Sequence, residues 1–244
     1  MSEKVLCIDA GNTRIKWGVH DGERWLASGA IATNESPRLG DAWKAAPAAN
    51  QAVASNVAGA QVHGDLERAC ARAGTALRII RSEARQLGVE NGYRDPAQLG
   101  SDRWAALIAA HHLERGHKLV VNAGTALTID ALADDGRFLG GLIVPGPALM
   151  RRSLDRGTAR LRLTEGTLVE FPQGTPDAIT SGAIQACIGA IARLGEVMAG
   201  RGVAPARIIL SGGAADEIAR HLPIAVAIHE NLVLDGLARI ARSP

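Results

Sequence analysis

An aspartate, a small residue and a glycine, followed by amide and hydroxyl side chains, close the first apolar run of this 244-residue chain at Asp9-Ala10-Gly11-Asn12-Thr13, with Lys16 shortly beyond. These types in this order suit a polyphosphate with its metal. Gly11 permits a tight turn, the side chains and N–H groups of Asn12 and Thr13 can donate to phosphate oxygens, and Lys16 adds a positive charge. Asp9 could hold Mg²⁺ through oxygen or water, as that hard ion prefers. The same residues also suit an Asx-type turn in which Asp9 bonds only its own backbone. A second version of the device, Val121-Asn122-Ala123-Gly124-Thr125-Ala126, tips the balance toward phosphate. Asn122 stands there where the first copy has Asp9, so only one of the two turns offers a carboxylate to a cation. Thr128 and Asp130 follow on the next run, and Asp130 is expected at the surface.

A third cluster spans Tyr93 to Arg103. Asp102 beside Arg103 could pair a general base with a cation that steadies a substrate carboxylate or a transferring phosphoryl group. The alternative is a helix cap: Ser101 or Asp102 suits the N-cap of a following helix, and Asp95-Pro96 is a cap with proline at the first helical position. A fourth signal, Ser211-Gly212-Gly213-Ala214, joins a strand to a helix start, where free N–H groups can meet an anion or a ribose. The histidines show no metal spacing, and the four tryptophans read as core.

The segments that must position these residues repeat. Leu6 to Ile31 and Leu119 to Val144 both read strand, glycine turn, strand, Asp-Gly turn (Asp21-Gly22, Asp135-Gly136) and an Arg-aromatic-Leu strand. Asp-Gly between apolar runs signals a hairpin on its own, but three elements agreeing in order favour a duplicated domain. Strands are expected at 4–9, 14–20, 24–31, 51–56 and 77–81, with a helix over 64–74 and a further one over 38–49. The second half is expected to hold a helix over 103–115, strands at 118–122, 127–133, 137–144, 207–211 and 225–229, and helices over 176–199 and 232–242. Lobes of 1–115 and 116–244 follow, each of ordinary domain size.

Composition limits the rest. Hydrophobic residues make up 47% of the chain and aromatics 3%, which suits helices packed on a buried, largely parallel sheet. A net charge of +2 gives no nucleic-acid footprint, although Arg151, Arg152, Arg156, Arg160 and Arg162 form a local basic run read as a solvated face. Three scattered cysteines indicate neither a disulfide framework nor a zinc site. No targeting segment is expected before the first strand, and no unbroken apolar run approaches the ~18 residues that span a bilayer. A soluble, cytoplasmic protein is expected.

Taken in order, Asp9 to Thr13, Tyr93 with Pro96, Leu99 to Arg103, Gly124-Thr125-Ala126, Gly140-Gly141 with Pro145-Gly146, and Ser211 to Ala214 resemble type III pantothenate kinase over nearly the whole chain. The resemblance implies duplicated ribonuclease H-like, actin-like ATPase domains of the acetate and sugar kinase, Hsp70 and actin superfamily. Each would be a mixed five-stranded sheet with flanking helices. It implies ATP-dependent phosphorylation of pantothenate, the first step of coenzyme A synthesis, in a homodimer. Carried over residue by residue, Asp9, Ala10, Gly11, Asn12, Thr13, Arg14, Ile15 and Lys16 would bind ATP, with Asp9 on Mg²⁺. Thr125 would contact the phosphates, and Gly212 and Gly213 would lie on the adenosine side. Asp102 would be the base, and Tyr93, Gly100, Ser101, Asp102, Arg103 and Thr175 would line the pantothenate pocket. Many members carry Asp at the position of Asn122 and use it for K⁺ or NH₄⁺, so this chain departs from the pattern at its monovalent cation site. The alternatives are a non-catalytic transcriptional accessory protein of the same fold, or a kinase of a related hydroxylated acid.

Overall fold

A computed structural model describes residues 3–157, 165–222 and 224–243. The chain divides into two compact units, residues 1–114 with 231–244, and residues 115–230.

In the first unit, β1 (Val5–Ala10), β2 (Arg14–His20) and β3 (Trp25–Ala32) form an antiparallel meander. A 3₁₀ segment, Thr33–Arg38, and one turn of helix, α1 (Leu39–Ala42), lead to β4 (Gln51–Asn56), α2 (Ala60–Arg72) and β5 (Ala76–Ile79). The sheet order is β3-β2-β1-β4-β5, with β1, β4 and β5 parallel. The expected helix over 38–49 is therefore reduced to α1; Pro37, Gly40 and Pro47 leave little room for a longer one. Residues Leu6, Ile8 and Ala10 face a core with Trp17, Trp43, Leu66 and Cys70. Strand alternation turns Cys7 and Asp9 to the other face. A small hairpin, β6 (Arg85–Gln86) and β7 (Val89–Glu90), a 3₁₀ turn at Pro96–Gln98 and helix α3 (Ser101–Leu113) follow.

The second unit repeats the plan. Its β8 (Lys118–Ala123), β9 (Ala126–Leu132) and β10 (Phe138–Pro145) are antiparallel, and α4 (Pro147–Gly157), α5 (Thr175–Gly200), β11 (Arg207–Ser211), α6 (Ala215–Ala219) and β12 (Val226–Ile228) complete it. The order β10-β9-β8-β11-β12, with β8, β11 and β12 parallel, is that of the first sheet. Both sheets are thus mixed rather than largely parallel. The scarcity of aromatics reported a buried sheet correctly but not its strand directions.

Two expectations about burial are corrected. Asp130 is 1% exposed, not a surface residue: Leu127, Ile129 and Ala131 face the second core, and Asp130 lies on the opposite, equally covered face of β9 with Lys118 of β8. Helix α5 is long enough, and apolar enough over 18 residues, to cross a membrane, which a search for unbroken apolar runs overlooked. Its Cys187, Ile191 and Met198 are buried in the core with Leu119, Val121 and Ile208, the packing of an interior helix.

The last helix, α7 (Leu232–Ile240), belongs to the first unit, whereas the expected boundary placed 231–244 in the second lobe. Its apolar face, Leu234, Leu237 and Ile240, is buried, and a Cβ on Gly236 would collide with the backbone of Ala105 in α3. Only glycine allows the two helices to approach so closely.

Candidate functional site

The first glycine turn is a three-residue loop, Gly11 to Thr13, closed by Gly11 N donating to Arg14 O at 3.1 Å. Two further bonds tie it to the unit: Val57 N donates to Ala10 O at 3.0 Å and Thr33 N to Thr13 O at 3.0 Å. Thr33 Oγ1 also donates to Gly11 O at 2.7 Å. Asn12, Thr13 and Arg14 are exposed, whereas Ala10 and Ile15 point into the core, leaving only their backbone for a ligand.

Asp9, the penultimate residue of β1, lies directly opposite Lys16 in the antiparallel pairing with β2. Burial, and to a lesser extent the carboxylate of Asp102, push the Asp9 carboxyl from its usual range up to about 7, with Lys16 pulling the other way. A buried carboxyl close to further negative charge is one that a divalent cation would stabilise. Asp9 would therefore suit Mg²⁺, a hard ion that takes oxygen ligands. Among the described residues there is no group of three or more His, Cys, Asp or Glu side chains of the kind that forms an all-protein metal cage.

Helix α3 begins immediately after Gly100, which occupies its N-cap, so the cap expected at Ser101 or Asp102 lies one or two residues earlier. Asp102 sits in the first turn, where the positive end of the helix favours a carboxylate; its Oδ1 accepts from Arg103 N at 2.8 Å. A Cβ on residue 100 would lie 2.5 Å from Asp102 Oδ1, so the glycine leaves the carboxylate its room. The Asp95 cap is present: its side chain accepts from Ala97 N at 3.1 Å with Pro96 at the first helical position.

Arg103 is 5% exposed, donates through Nη1 to Tyr93 Oη at 3.0 Å and lies 5.7 Å from the centre of that ring. Motif reading passed over the residues that hold this loop. Asn91 Oδ1 accepts from Tyr93 N at 3.0 Å while its Nδ2 donates to Glu83 O and Pro96 O at 3.2 Å, and Ser82 Oγ donates to Leu99 O at 2.8 Å. Asparagine and serine flanking a Gly-Pro-rich stretch were the available signal.

In the second unit the corresponding turn is one residue shorter, Gly124 and Thr125, closed by Gly124 N donating to Ala126 O at 3.1 Å. Ala214 N donates to Ala123 O at 3.1 Å and Gly146 N to Thr125 O at 2.9 Å, the counterparts of the Val57 and Thr33 bonds. Gly212, at φ +102°, packs against Ala123, where a Cβ would lie 2.5 Å from its carbonyl oxygen, so the Gly-Gly turn and the Gly124-Thr125 turn are adjacent. Asn122 pairs with Thr128 and with Ser211 in the sheet. Thr175 is exposed at the first position of α5. Arg151 and Arg152 lie on α4; Arg160 and Arg162 fall outside the described residues.

A sequence profile of the family described as type III pantothenate kinase matches residues 5–196. The chain belongs to the type III pantothenate kinase family. A family member from Aromatoleum aromaticum is 49% identical over 98% of this chain and 98% of its own length. The fold is shared more widely. A provisionally assigned 2-dehydro-3-deoxygalactonokinase from Sinorhizobium meliloti superposes with a TM-score of 0.62 at 18% identity, covering 98% of both chains. A Campylobacter jejuni protein provisionally assigned to the Baf family of transcriptional activators gives 0.61 at 21% identity, covering 97% of both. These likenesses show that the two-unit fold with its repeated sheet order is shared with both proteins.

Proposed function

We propose that the chain transfers the γ-phosphoryl group of ATP to the primary hydroxyl of pantothenate, with Asp102 as the general base. The observation that carries this reading is the placement of Asp102, at the positive end of α3 and close enough to Asp9 to influence its ionisation, in a member of the pantothenate kinase family.

Asp102 takes the hydroxyl proton as that oxygen attacks the γ-phosphorus, and the bond from phosphorus to the ADP oxygen breaks. Arg103, held by Tyr93, meets the pantothenate carboxylate, and Gly100, Ser101 and Thr175 line the pocket. Residues 9 to 16 and Thr125 hold the ATP phosphates, and Gly212 and Gly213 lie toward adenosine. Mg²⁺ bound through Asp9 would neutralise phosphate charge. Positioning and charge neutralisation supply most of the rate in such transfers. Asn122 offers a monovalent cation a neutral amide oxygen in place of a carboxylate, so any K⁺ or NH₄⁺ site there is weaker than one built on aspartate. The enzyme is cytoplasmic and homodimeric; Ile143 and Phe171 of the second unit, 62% and 83% exposed, support a self-association face.

A coupled assay for ADP tests the reading. ADP is expected only when ATP, Mg²⁺ and pantothenate are all present. Equal ADP without pantothenate, or turnover only on another hydroxylated acid, would overturn the substrate assignment.

A further inference from the structure

Ser55 is the penultimate residue of β4 as Asp9 is of β1, and the two are direct partners in the parallel pairing of these strands. Parallel partners present their side chains on the same face about 5 Å apart. Ser55 is fully buried, and its hydroxyl is 2.8 Å from the hydroxyl of Ser101, which is buried too. Ser101 is the first residue of α3 and the neighbour of Asp102. One buried hydrogen bond therefore fastens the start of the helix that carries Asp102 to the strand beside Asp9.

We infer that Ser55 and Ser101 are a positioning pair that sets the distance between the Asp102 carboxylate and the turn at Gly11, a role Ser101 holds in addition to its place in the proposed pocket lining. The inference rests on the proposed role of Asp102. The nearby backbone contact, Trp104 N to Gly100 O at 3.0 Å, lies within the helix itself and does not fix where the helix sits. A buried hydroxyl that loses its partner also pays its desolvation cost, so the pair holds firmly for two such small groups. Displacing a catalytic group by a fraction of an ångström lowers turnover without weakening substrate binding elsewhere.

The test uses the full chain. Ser55→Ala is expected to lower kcat about tenfold, leaving KM for ATP within about twofold. Ser101→Ala should match it, the double variant should cost no more than either single one, and Ser101→Thr, which keeps the hydroxyl, should recover most of the loss. In an Asp102→Asn background Ser55→Ala should cost nothing further, an outcome a purely structural role would not give. Wild-type kcat in Ser55→Ala, or losses that add to that of Asp102→Asn, would overturn the inference. Amide exchange at Trp104 provides a readout without substrate: it should quicken in Ser55→Ala while amides of β8 stay unchanged. Unaltered exchange there counts against the pair even if the wild type proves to phosphorylate something else, and quickened exchange supports it in that case.

Discussion

Burial first, and the carboxylate of Asp102 second, oppose the ionisation of Asp9 and move its carboxyl up to about 7. A carboxyl that holds its proton more tightly folded than unfolded costs nothing below its ordinary range. The penalty appears as pH rises from about 4 and is complete somewhat above 7. Without nucleotide or metal, Asp9→Asn is therefore expected to raise Tm at pH 8 by several degrees and to change it little at pH 4. Thermal unfolding at the two pH values checks this; an equal Tm change at both would show that Asp9 ionises normally. The same variant should lose Mg²⁺-dependent ATP binding, so the site trades stability for function.

Replacing the proposed base should separate chemistry from folding. Asp102→Asn keeps the shape and the acceptor for Arg103 N, and it is expected to reduce kcat by about 10²–10⁴-fold. Tm should stay within a few degrees of the wild type. Steady-state kinetics beside a melting curve decides the matter, and near-normal turnover would move the base elsewhere.

The unequal turns predict cation behaviour. With an amide at Asn122, replacing K⁺ by Na⁺ or choline at constant ionic strength should change turnover by less than about twofold, because no fixed charge rewards a bound monovalent ion. Asn122→Asp should introduce a dependence on K⁺. A strong K⁺ requirement in the wild type would contradict this.

Gly236 tests the packing of α7. Gly236→Ala brings a methyl against the Ala105 backbone, and overpacking of this kind costs about 1–3 kcal/mol. Chemical denaturation should show that loss in the midpoint. No loss would mean that α7 shifts freely along α3.

Much of the fold could be read from the chain because its hairpins announce themselves locally: Gly11 and Gly124 each sit between apolar runs, and strand limits near them were found within a residue or two. What local patterns could not carry was set by neighbours distant in sequence. Asp130 looks like a surface carboxylate until β8 and β10 flank it. Helix α4 starts directly at Pro147, after Pro145-Gly146, because proline is welcome at the first helical position even where its neighbours spell a turn. At the site, glycine and acid motifs pointed to Asp9 and Asp102. Ser55 looked like an ordinary strand end, and only the register of β4 with β1 gives it meaning.

The return of α7 to the first unit makes residues 115–230 an insertion within another fold. On a ribosome, then, the segment that begins first finishes last. The inserted unit has all its strands in hand while the earlier one still waits for its closing helix, with the α3 surface around Ala105 uncovered until residues 231–244 emerge. Loss of the final helix, which no proposed substrate contact uses, would strike β1, the strand that carries Asp9, rather than the unit it follows.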